Sequence, residues 1–240
     1  MRILLILSLI IIQNIAFAGN SKKPARVLIF SKTAGFRHKS IPAGIAAIIR
    51  LSKENNFLVD STESGEVFTT RNLKKYSAII FLSPTGEDLL NDPQKQAFQR
   101  YIHKGGGFVG IHAATDCFFK WPWYGKLVGA YFTNHPKVQQ ASLQIADMDH
   151  PSTEGLPNPW NRKDEWYNFR DINPDIKVLI NLDEKSYEGG KNGDSHPIAW
   201  HHEFEGGRVF YTALGHTEES FTEPEFLKHL LGGIRYAAKL

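Results

Sequence analysis

Short apolar runs alternate with helical segments through the first half of the chain, and this alternation limits the possible folds more than any other feature. The runs have the length of buried strands and lie at residues 25–30, 57–60, 76–82 and 108–111. Residues 40–55 have isoleucines at helical spacing, and Asp92 and Pro93 cap and begin a second helix. Such alternation is typical of a doubly wound α/β protein. We therefore predict a mostly parallel sheet with helices on both faces.

The second half of the chain has less regular patterning. Further strands are predicted at residues 138–145, 176–181, 197–201 and 208–213. In the last predicted helix, Thr222 and Glu225 match a capping box with a proline inside the first turn. The sequence has neither internal repeats nor low-complexity stretches. We therefore predict one domain over residues 25–240.

The first 18 residues have the pattern of a cleaved signal peptide. Arg2 supplies a basic start, residues 3–12 are apolar, and Ala16, Phe17 and Ala18 form the small-x-small pattern that precedes cleavage. An apolar run of about ten residues is shorter than the roughly 20 residues that a spanning helix needs. We therefore expect a periplasmic or secreted protein with no membrane span after processing.

Charge and cysteine content exclude two other classes of protein. The chain has 28 Lys and Arg against 25 Asp and Glu, a formal charge of +3. This balance lacks the basic excess of a nucleic-acid-binding domain, so nucleic acid is not an expected partner. Cys117 is the single cysteine, which excludes an internal disulfide and a cysteine-rich zinc module.

Several of the ten histidines follow predicted strands. Arg37 and His38 come after the first strand, His112 after the fourth, and His216 after the strand at residues 208–213. Ligands of doubly wound folds bind at the carboxyl ends of the strands. If these strands are parallel, we expect the three histidines at the same edge of the sheet.

Five segments carry a family resemblance when they are taken together. They are residues 33–41 (TAGFRHKSI), 105–116 (GGGFVGIHAATD), 149–151 (DHP), 164–167 (DEWY) and 207–216 (GRVFYTALGH). In this order they resemble the ThuA-like (trehalose utilisation) family, and the set is more specific than any single segment. The resemblance implies a fold similar to class I glutamine amidotransferases. It also implies a carbohydrate context, with a small-molecule carbohydrate as the partner.

The resemblance to amidotransferases can be followed residue by residue. Those enzymes carry a nucleophilic Cys in a Gly-x-Cys-x-Gly turn after one strand and a His-x-Glu pair after a later strand. Here the turn is residues 110–114 with His112 in the position of the nucleophile, and His216 and Glu218 keep the His-x-Glu pair. Imidazole cannot replace the thiolate in forming an acyl-enzyme, so we predict no glutaminase activity. We interpret Cys117 as a small buried or partly buried residue.

Two chemistries are open for this site. His112 and His216 can act as a general acid/base pair, with Glu218 orienting His216. Alternatively, His112 and His216 together with His38 or Glu218 can bind zinc or another divalent metal. Both suit hydrolysis or isomerisation of a sugar or keto-sugar derivative. The alternative to an enzyme is a non-catalytic carbohydrate-binding or accessory protein with a degenerate amidotransferase pocket.

Aromatic and acidic residues near these motifs are candidates for sugar binding. An aromatic ring flanked by carboxylates can stack under a pyranose while the acids accept hydrogen bonds from its hydroxyls. The predicted substrate-binding residues are Arg37, His38, Asp116, Asp164, Glu165, Trp166 and Tyr167. We assign residues 121–124 to packing. At most one of His201 and His202 can reach a given metal ion, because adjacent strand residues point to opposite faces, and we assign both to the surface of a hairpin.

Overall fold

The first half of the chain forms the predicted alternation of strands and helices. The computed structural model describes residues 24–240, so the predicted signal peptide at residues 1–18 lies outside the described residues. The elements of this half are β1 (Arg26–Phe30), α1 (Ile41–Glu54), β2 (Leu58–Thr62), α2 (Thr70–Leu73), β3 (Ala78–Leu82), α3 (Asp92–His103) and β4 (Gly107–Ile111). Within residues 24–240, no helix is long and apolar enough to cross a membrane.

The second half is mainly strands between two helices. Its elements are α4 (Pro122–Val128), β5 (Tyr131–Asn134), β6 (Gln139–Ile145), β7 (Trp160–Asp164), β8 (Asn168–Arg170), β9 (Lys177–Leu182), β10 (Pro197–Phe204), β11 (Gly207–Thr212) and α5 (Pro224–Ala238). The four strands predicted here correspond to β6, β9, β10 and β11. The prediction lacks β5 and β8, because strands of 4 and 3 residues are too short to show an alternating pattern.

A nine-stranded sheet in the order β2-β1-β3-β4-β11-β10-β9-β6-β7 organises the described residues. The strands from β2 to β11 are parallel, and the pairs from β11 to β7 are antiparallel. β5 and β8 form a separate two-stranded sheet. The predicted α/β class is confirmed, and β1, β4 and β11, which precede the three predicted site histidines, all lie in the parallel part.

Helices cover both faces of this parallel part. Phe81 and Leu82 are consecutive in β3, so their side chains point to opposite faces of the sheet. On one face, Phe98 of α3 stacks on Phe81, with ring centroids 5.3 Å apart. On the other face, α1 packs against Leu82 at Gly44, where a Cβ atom would approach the Leu82 side chain to 3.0 Å. The buried sheet therefore leaves its strand ends as the places where polar side chains can reach a ligand.

Two helices begin differently from the prediction. The N-cap of α3 is Asn91, one residue before the predicted cap, and it forms a capping box with Gln94. The capping box predicted for α5 is wrong: the N-cap is Glu223, and among the described residues no side chain caps this helix. Thr222 instead donates a hydrogen bond to the carbonyl of Glu219 at 2.8 Å, because a short 3-10 turn immediately precedes the helix.

β7 is absent from the predicted strands because charged residues occupy its inward positions. Trp160, Arg162 and Asp164 are the buried residues of this strand. Arg162 and Asp164 form an ion pair at 3.2 Å, which compensates the cost of burying their charges. Because two of the inward residues are charged, the strand does not show the alternation of apolar and polar residues that would predict it. Four antiparallel pairings separate β7 from β11, so both strands run in the same direction. The carboxyl end of β7 therefore lies at the same edge of the sheet as that of β11.

Candidate metal centre

Four side chains from separate strand ends converge at the carboxyl edge of the sheet. His38 follows β1, His112 follows β4, His216 follows β11 and Glu165 follows β7. One ligating atom from each residue lies within 4.8 Å of all the others. His38, His112 and Glu165 are buried, and His216 is half-buried. The structure therefore brings together the three predicted histidines and adds Glu165 as a potential ligand.

Hydrogen bonds between loops fix the segment that carries His38. The backbone N–H of Ala34 donates to the carbonyl of Thr85 at 2.8 Å, and the Thr85 hydroxyl donates to the carbonyl of Phe36 at 2.7 Å. The Ser40 hydroxyl donates to the carbonyl of Gly215 at 3.0 Å. The loops after β1, β3 and β11 are thus joined by hydrogen bonds, which place His38 and His216 side by side.

His112 occupies a tight turn and has a defined tautomer. Its φ of 50° lies in the left-handed region, as at the nucleophile elbow of α/β-hydrolases. Its Nδ1 atom lies 2.7 Å from the carbonyl oxygen of Ala213. A carbonyl can only accept, so Nδ1 carries the proton and, in the neutral ring, Nε2 carries a lone pair. This lone pair faces the cluster, which is the arrangement that a metal ligand requires.

Four distances within the cluster are close to the edge length of a small tetrahedron. His112 Nε2 lies 3.2 Å from both His38 Nε2 and His216 Nδ1. Glu165 Oε2 lies 3.0 Å from His216 Nδ1 and 3.4 Å from His112 Nε2. A tetrahedral zinc ion with bonds of about 2.0–2.1 Å separates its ligands by roughly 3.3 Å. The residues present therefore fit a divalent ion that prefers nitrogen and oxygen ligands.

The charges of the cluster are strongly coupled. Burial lowers the pKa of His38 to about 3, with a further contribution from the charges of His112 and His216. Burial alone raises the pKa of Glu165, but its close contacts with the His112 and His216 imidazoles outweigh burial and leave this pKa below its usual range. Burial lowers the pKa of His216, but the hydrogen bond to Glu165 outweighs it, so that pKa is raised. At neutral pH the cluster therefore contains an ionised carboxylate and a neutral His38.

The predicted contact between Glu218 and His216 is wrong, because Glu165 takes that place. Glu218 is exposed, and within the described residues no hydrogen bond joins it to His216. The 3-10 turn begins directly after Glu218, which directs its side chain to solvent.

Two predicted substrate-binding residues are structural. Asp164 is fully buried and accepts hydrogen bonds from the backbone N–H groups of Gly215 at 2.9 Å and His216 at 3.1 Å. Trp166 is also fully buried, and its indole donates to the carbonyl of Gln139 at 2.9 Å. The prediction that these two side chains bind substrate is wrong, since neither reaches a surface that a sugar could contact.

The remaining predicted substrate-binding residues surround the cluster at different depths. Tyr167 is buried and lies against His112, with ring centroids 4.3 Å apart. Asp116 is half-buried, and burial raises its pKa to about 6 against the opposing charge of His112. Arg37 is exposed and pairs with Glu63 at 2.7 Å. Of these three residues, Tyr167 contacts the cluster directly, Asp116 interacts with the charge of His112, and Arg37 lies in an ion pair on the surface.

His135 is a site residue that no sequence pattern indicates. Its Nδ1 atom lies 3.0 Å from Glu165 Oε1 and 2.8 Å from the carbonyl of Pro136. Two oxygen acceptors require that Nδ1 carry the proton, so His135 donates to the carboxylate whose other oxygen faces the cluster. The position follows β5, a strand too short to predict, and a lone histidine in a loop has no pattern of its own.

Three other residues show where local patterns succeed and fail. Cys117 is buried as predicted, and burial raises the pKa of its thiol. The surface assignment of the histidine pair on β10 is wrong: His202 is buried, and His201 is half-buried beside the Tyr236 hydroxyl. The pair lies on a strand inside the large sheet, with neighbours on both sides.

Comparison with known proteins supports both the fold and the family. The family profile described as ThuA, trehalose utilisation, matches residues 26–237. The chain is similar to a ThuA-like protein from Bacteroides uniformis, with 25% identity, a TM-score of 0.75 and coverage of 92% of this chain and 94% of that one. It is also similar to a ThuA-like protein from Parabacteroides merdae, with 21% identity, a TM-score of 0.73 and 90% coverage of each chain.

A further comparison concerns the fold alone. A GMP synthase protein from Thermoplasma acidophilum is 8% identical, with a TM-score of 0.56 and coverage of 90% of this chain and 95% of that one. Among curated proteins, none matches this chain.

Proposed function

Since the chain belongs to the ThuA family, described as trehalose utilisation, we propose that it is a metal-dependent enzyme that hydrolyses or isomerises a sugar or keto-sugar derivative. The observation that carries the proposal is the convergence of His38, His112, His216 and Glu165 within 4.8 Å. Three imidazoles and a carboxylate form a donor set suited to zinc.

The surrounding hydrogen bonds support a metal site over a metal-free histidine cluster. Where two neutral imidazoles face each other nitrogen to nitrogen, a hydrogen bond forms only if one of the two nitrogens carries a proton. A bound cation, by contrast, accepts the lone pairs of all the facing nitrogens at once. His112 donates its Nδ1 proton to a backbone carbonyl, and metal-ligating histidines commonly donate their second ring N–H in this way. A metal ion would also compensate the buried charge of Glu165.

The chemistry of the proposed site follows from its charges. A bound divalent ion supplies a Lewis acid, and it lowers the pKa of coordinated water. Glu165 is placed to hold the ion, because Oε2 lies in the cluster while Oε1 accepts from His135, and its lowered pKa keeps it ionised at neutral pH. Asp116, with its pKa raised to about 6, is a second acid near the cluster. Because its pKa lies closer to neutral, Asp116 is the group suited to proton transfer on a sugar hydroxyl.

The sugar context of the proposal rests on the family. The description of the family is trehalose utilisation, and the geometry of the site does not distinguish one sugar from another. We assign hydrolysis or isomerisation because both need an electrophile beside a group that transfers protons. A carbohydrate-binding protein without turnover is the alternative, and an activity screen decides between them.

Metal content measured together with turnover tests the proposal. We expect purified protein loaded with zinc to retain about one ion per chain after dialysis, and both His112→Ala and His216→Ala to lose it. His103→Ala is the matched control, because His103 is an exposed histidine on α3 outside the cluster. Wild-type protein that retains no divalent metal would contradict the site. Zinc-loaded protein that turns over neither glycosides nor keto-sugars would favour the binding protein.

We also propose that the protein acts outside the cytoplasm. The proposal rests on the basic, apolar and small-x-small pattern of residues 1–18. N-terminal sequencing of protein recovered from the periplasm or medium tests it, and we expect the mature chain to begin at Gly19. Recovery of an intact Met1 terminus from the cytoplasm would overturn the proposal.

A further inference from the structure

An exposed phenyl ring lies at the rim of the candidate metal centre. Phe36 is 65% exposed, the largest exposed fraction among the large apolar side chains of residues 24–240. Isolated apolar side chains are common on protein surfaces, so exposure alone does not imply a function. The position of Phe36 and the rigidity of its loop are the features that distinguish it from the other exposed apolar residues, which are Leu58, Met148 and Leu240.

Phe36 lies one side chain away from the proposed ligands. Its ring centroid is 4.9 Å from that of His38, and the two rings meet edge to face. The His38 ring in turn lies 4.7 Å from that of His112 and 5.3 Å from that of His216. A molecule that contacts the exposed face of Phe36 therefore lies within reach of the cluster.

The loop around Phe36 is held by the neighbouring loop rather than by the phenyl ring. The carbonyl of Thr85 accepts from the N–H groups of Ala34 and Gly35, at 2.8 and 3.3 Å. The hydroxyl of Thr85 donates to the carbonyl of Phe36 at 2.7 Å, and Thr33 pairs with Thr85 as an isolated β-bridge. The backbone is thus fixed while the ring stays in solvent. Such a ring can bind a ligand without a large ordering cost.

The aromatic residues expected to stack on a sugar are covered. Trp166 is fully buried, and Tyr167 is 2% exposed, enclosed between the rings of His112 and Phe132. The site thus needs a different aromatic surface if it binds a pyranose. Phe36 supplies one, because the axial C–H groups of a pyranose form an apolar face that can cover a phenyl ring.

We propose that Phe36 is the stacking platform of the site and that the ligand is a pyranoside whose apolar face covers this ring. The inference rests on the proposed function, since it uses the metal centre to define where the reacting part of the sugar lies. The ring then determines which sugars bind: those with a continuous C–H face stack, whereas acyclic polyols of similar polarity do not. Phe36 contributes binding and specificity, and it takes no part in proton transfer.

Binding of trehalose and of methyl α-glucopyranoside to zinc-loaded protein tests the proposal. We expect both sugars to bind the wild type at millimolar concentrations and sorbitol to bind more weakly. Phe36→Ala should weaken sugar binding about tenfold, whereas Phe36→Trp should restore it. Met148→Ala is the matched control, because Met148 is an apolar residue in another loop and is 53% exposed. We expect this variant to bind the sugars with wild-type affinity.

Zinc stoichiometry, measured on the same samples, separates the two proposals. If Phe36→Ala keeps its zinc but binds the sugars as tightly as the wild type, the proposal that Phe36 stacks on the sugar is wrong, whereas the proposed metal site is unaffected. The platform is also overturned if zinc-loaded wild type binds neither sugar at tens of millimolar. If the wild type binds the sugars but retains no zinc, the metal-dependent function fails, and the effect of Phe36→Ala on binding still decides the platform.

Discussion

His112 shows how a single residue can prepare the proposed metal site. The left-handed turn at His112 and its bond to the Ala213 carbonyl direct an unprotonated nitrogen into the cluster. Strained backbone conformations of this kind cost about 1–3 kcal/mol and persist where surrounding contacts hold them. The Tyr211 hydroxyl, which donates to the carbonyl of His112 at 2.8 Å, is one such contact. A position with these constraints tolerates few replacements.

Replacement of His135 should weaken metal binding without destabilising the fold. His135 donates to Glu165 Oε1 at 3.0 Å, and a hydrogen bond that orients a metal ligand in this way is worth about 10–100-fold in metal affinity. Its side chain is 41% exposed, so we expect His135→Ala to unfold at nearly the wild-type urea concentration. Zinc competition with a chromophoric chelator measures the affinity, and His135→Gln, which keeps an N–H donor, should recover part of it. Equal zinc affinity in His135→Ala and wild type would show that the hydrogen bond from His135 does not help Glu165 to bind the metal.

Glutaminase activity is expected to be absent from this protein. His112 takes the position of the nucleophile, and burial raises the pKa of the Cys117 thiol, so no thiolate is available to attack an amide. Ammonia release from glutamine, measured with enzyme in excess, should equal the rate without protein. Release that disappears in Cys117→Ala would contradict the prediction.

At the scale of elements, β7 and the loop after β11 form one unit although they are distant in the sheet. Asp164 at the end of β7 accepts hydrogen bonds from two backbone N–H groups of that loop, and Arg162 on the same face pairs with Asp164 at 3.2 Å. Arg162 also pairs with Glu223 at the start of α5, at 3.0 Å. Strand, loop and helix therefore share one buried charge network, which positions His216 through its backbone.

Asp164→Asn should damage stability and metal binding together. The substitution leaves Arg162 without its fully buried partner and removes one of the acceptors for Gly215 and His216, so we expect a loss of about 3 kcal/mol. Urea unfolding measures the stability, and zinc competition measures the effect on the site. Asp171→Asn is the matched control, since Asp171 is exposed, and surface substitutions usually change stability by less than about 0.5 kcal/mol. Wild-type stability in Asp164→Asn would indicate that Glu223 alone satisfies Arg162.

At the scale of the whole molecule, the large sheet buries histidines far from the site as well as within it. His229 is fully buried on α5, and His202 is buried on β10. Burial lowers the pKa of His229 to about 3 and that of His202 to about 4. Both rings are therefore neutral in the folded protein at neutral pH, and the core can accommodate them only in that state.

These histidines should make the folded protein sensitive to mild acid. Their pKa values are lower in the folded than in the unfolded chain, so the unfolded state binds more protons below about pH 6.5. The free energy of unfolding is therefore unaffected by these histidines above that pH. It falls as the pH decreases toward 4, by up to about 1.4 kcal/mol per pH unit for each histidine. Urea unfolding at pH 7 and pH 5 measures the loss, and His229→Gln should reduce it. A free energy of unfolding that stays constant over this range would contradict the burial of neutral rings.

The sequence by itself determined the α/β class and the strand ends at which His38, His112 and His216 lie. Periodicity within one element is a local property, and parallel strands necessarily end at the same edge, so local patterns are sufficient for these three residues. The position of Cys117 was also predictable, because a lone cysteine beside an elbow is commonly buried.

Only the tertiary structure decided that Glu165, and not Glu218, completes the cluster. Asp164, beside Glu165, accepts a hydrogen bond from Gly215, which lies 51 residues away in the sequence. The strand order that brings these two loops together is not encoded in any local spacing. The same folding buried Trp166, exposed Phe36 and brought His135 to the carboxylate. These outcomes depend on which face of each element meets another, and that is settled by packing of the whole sheet rather than by any segment alone.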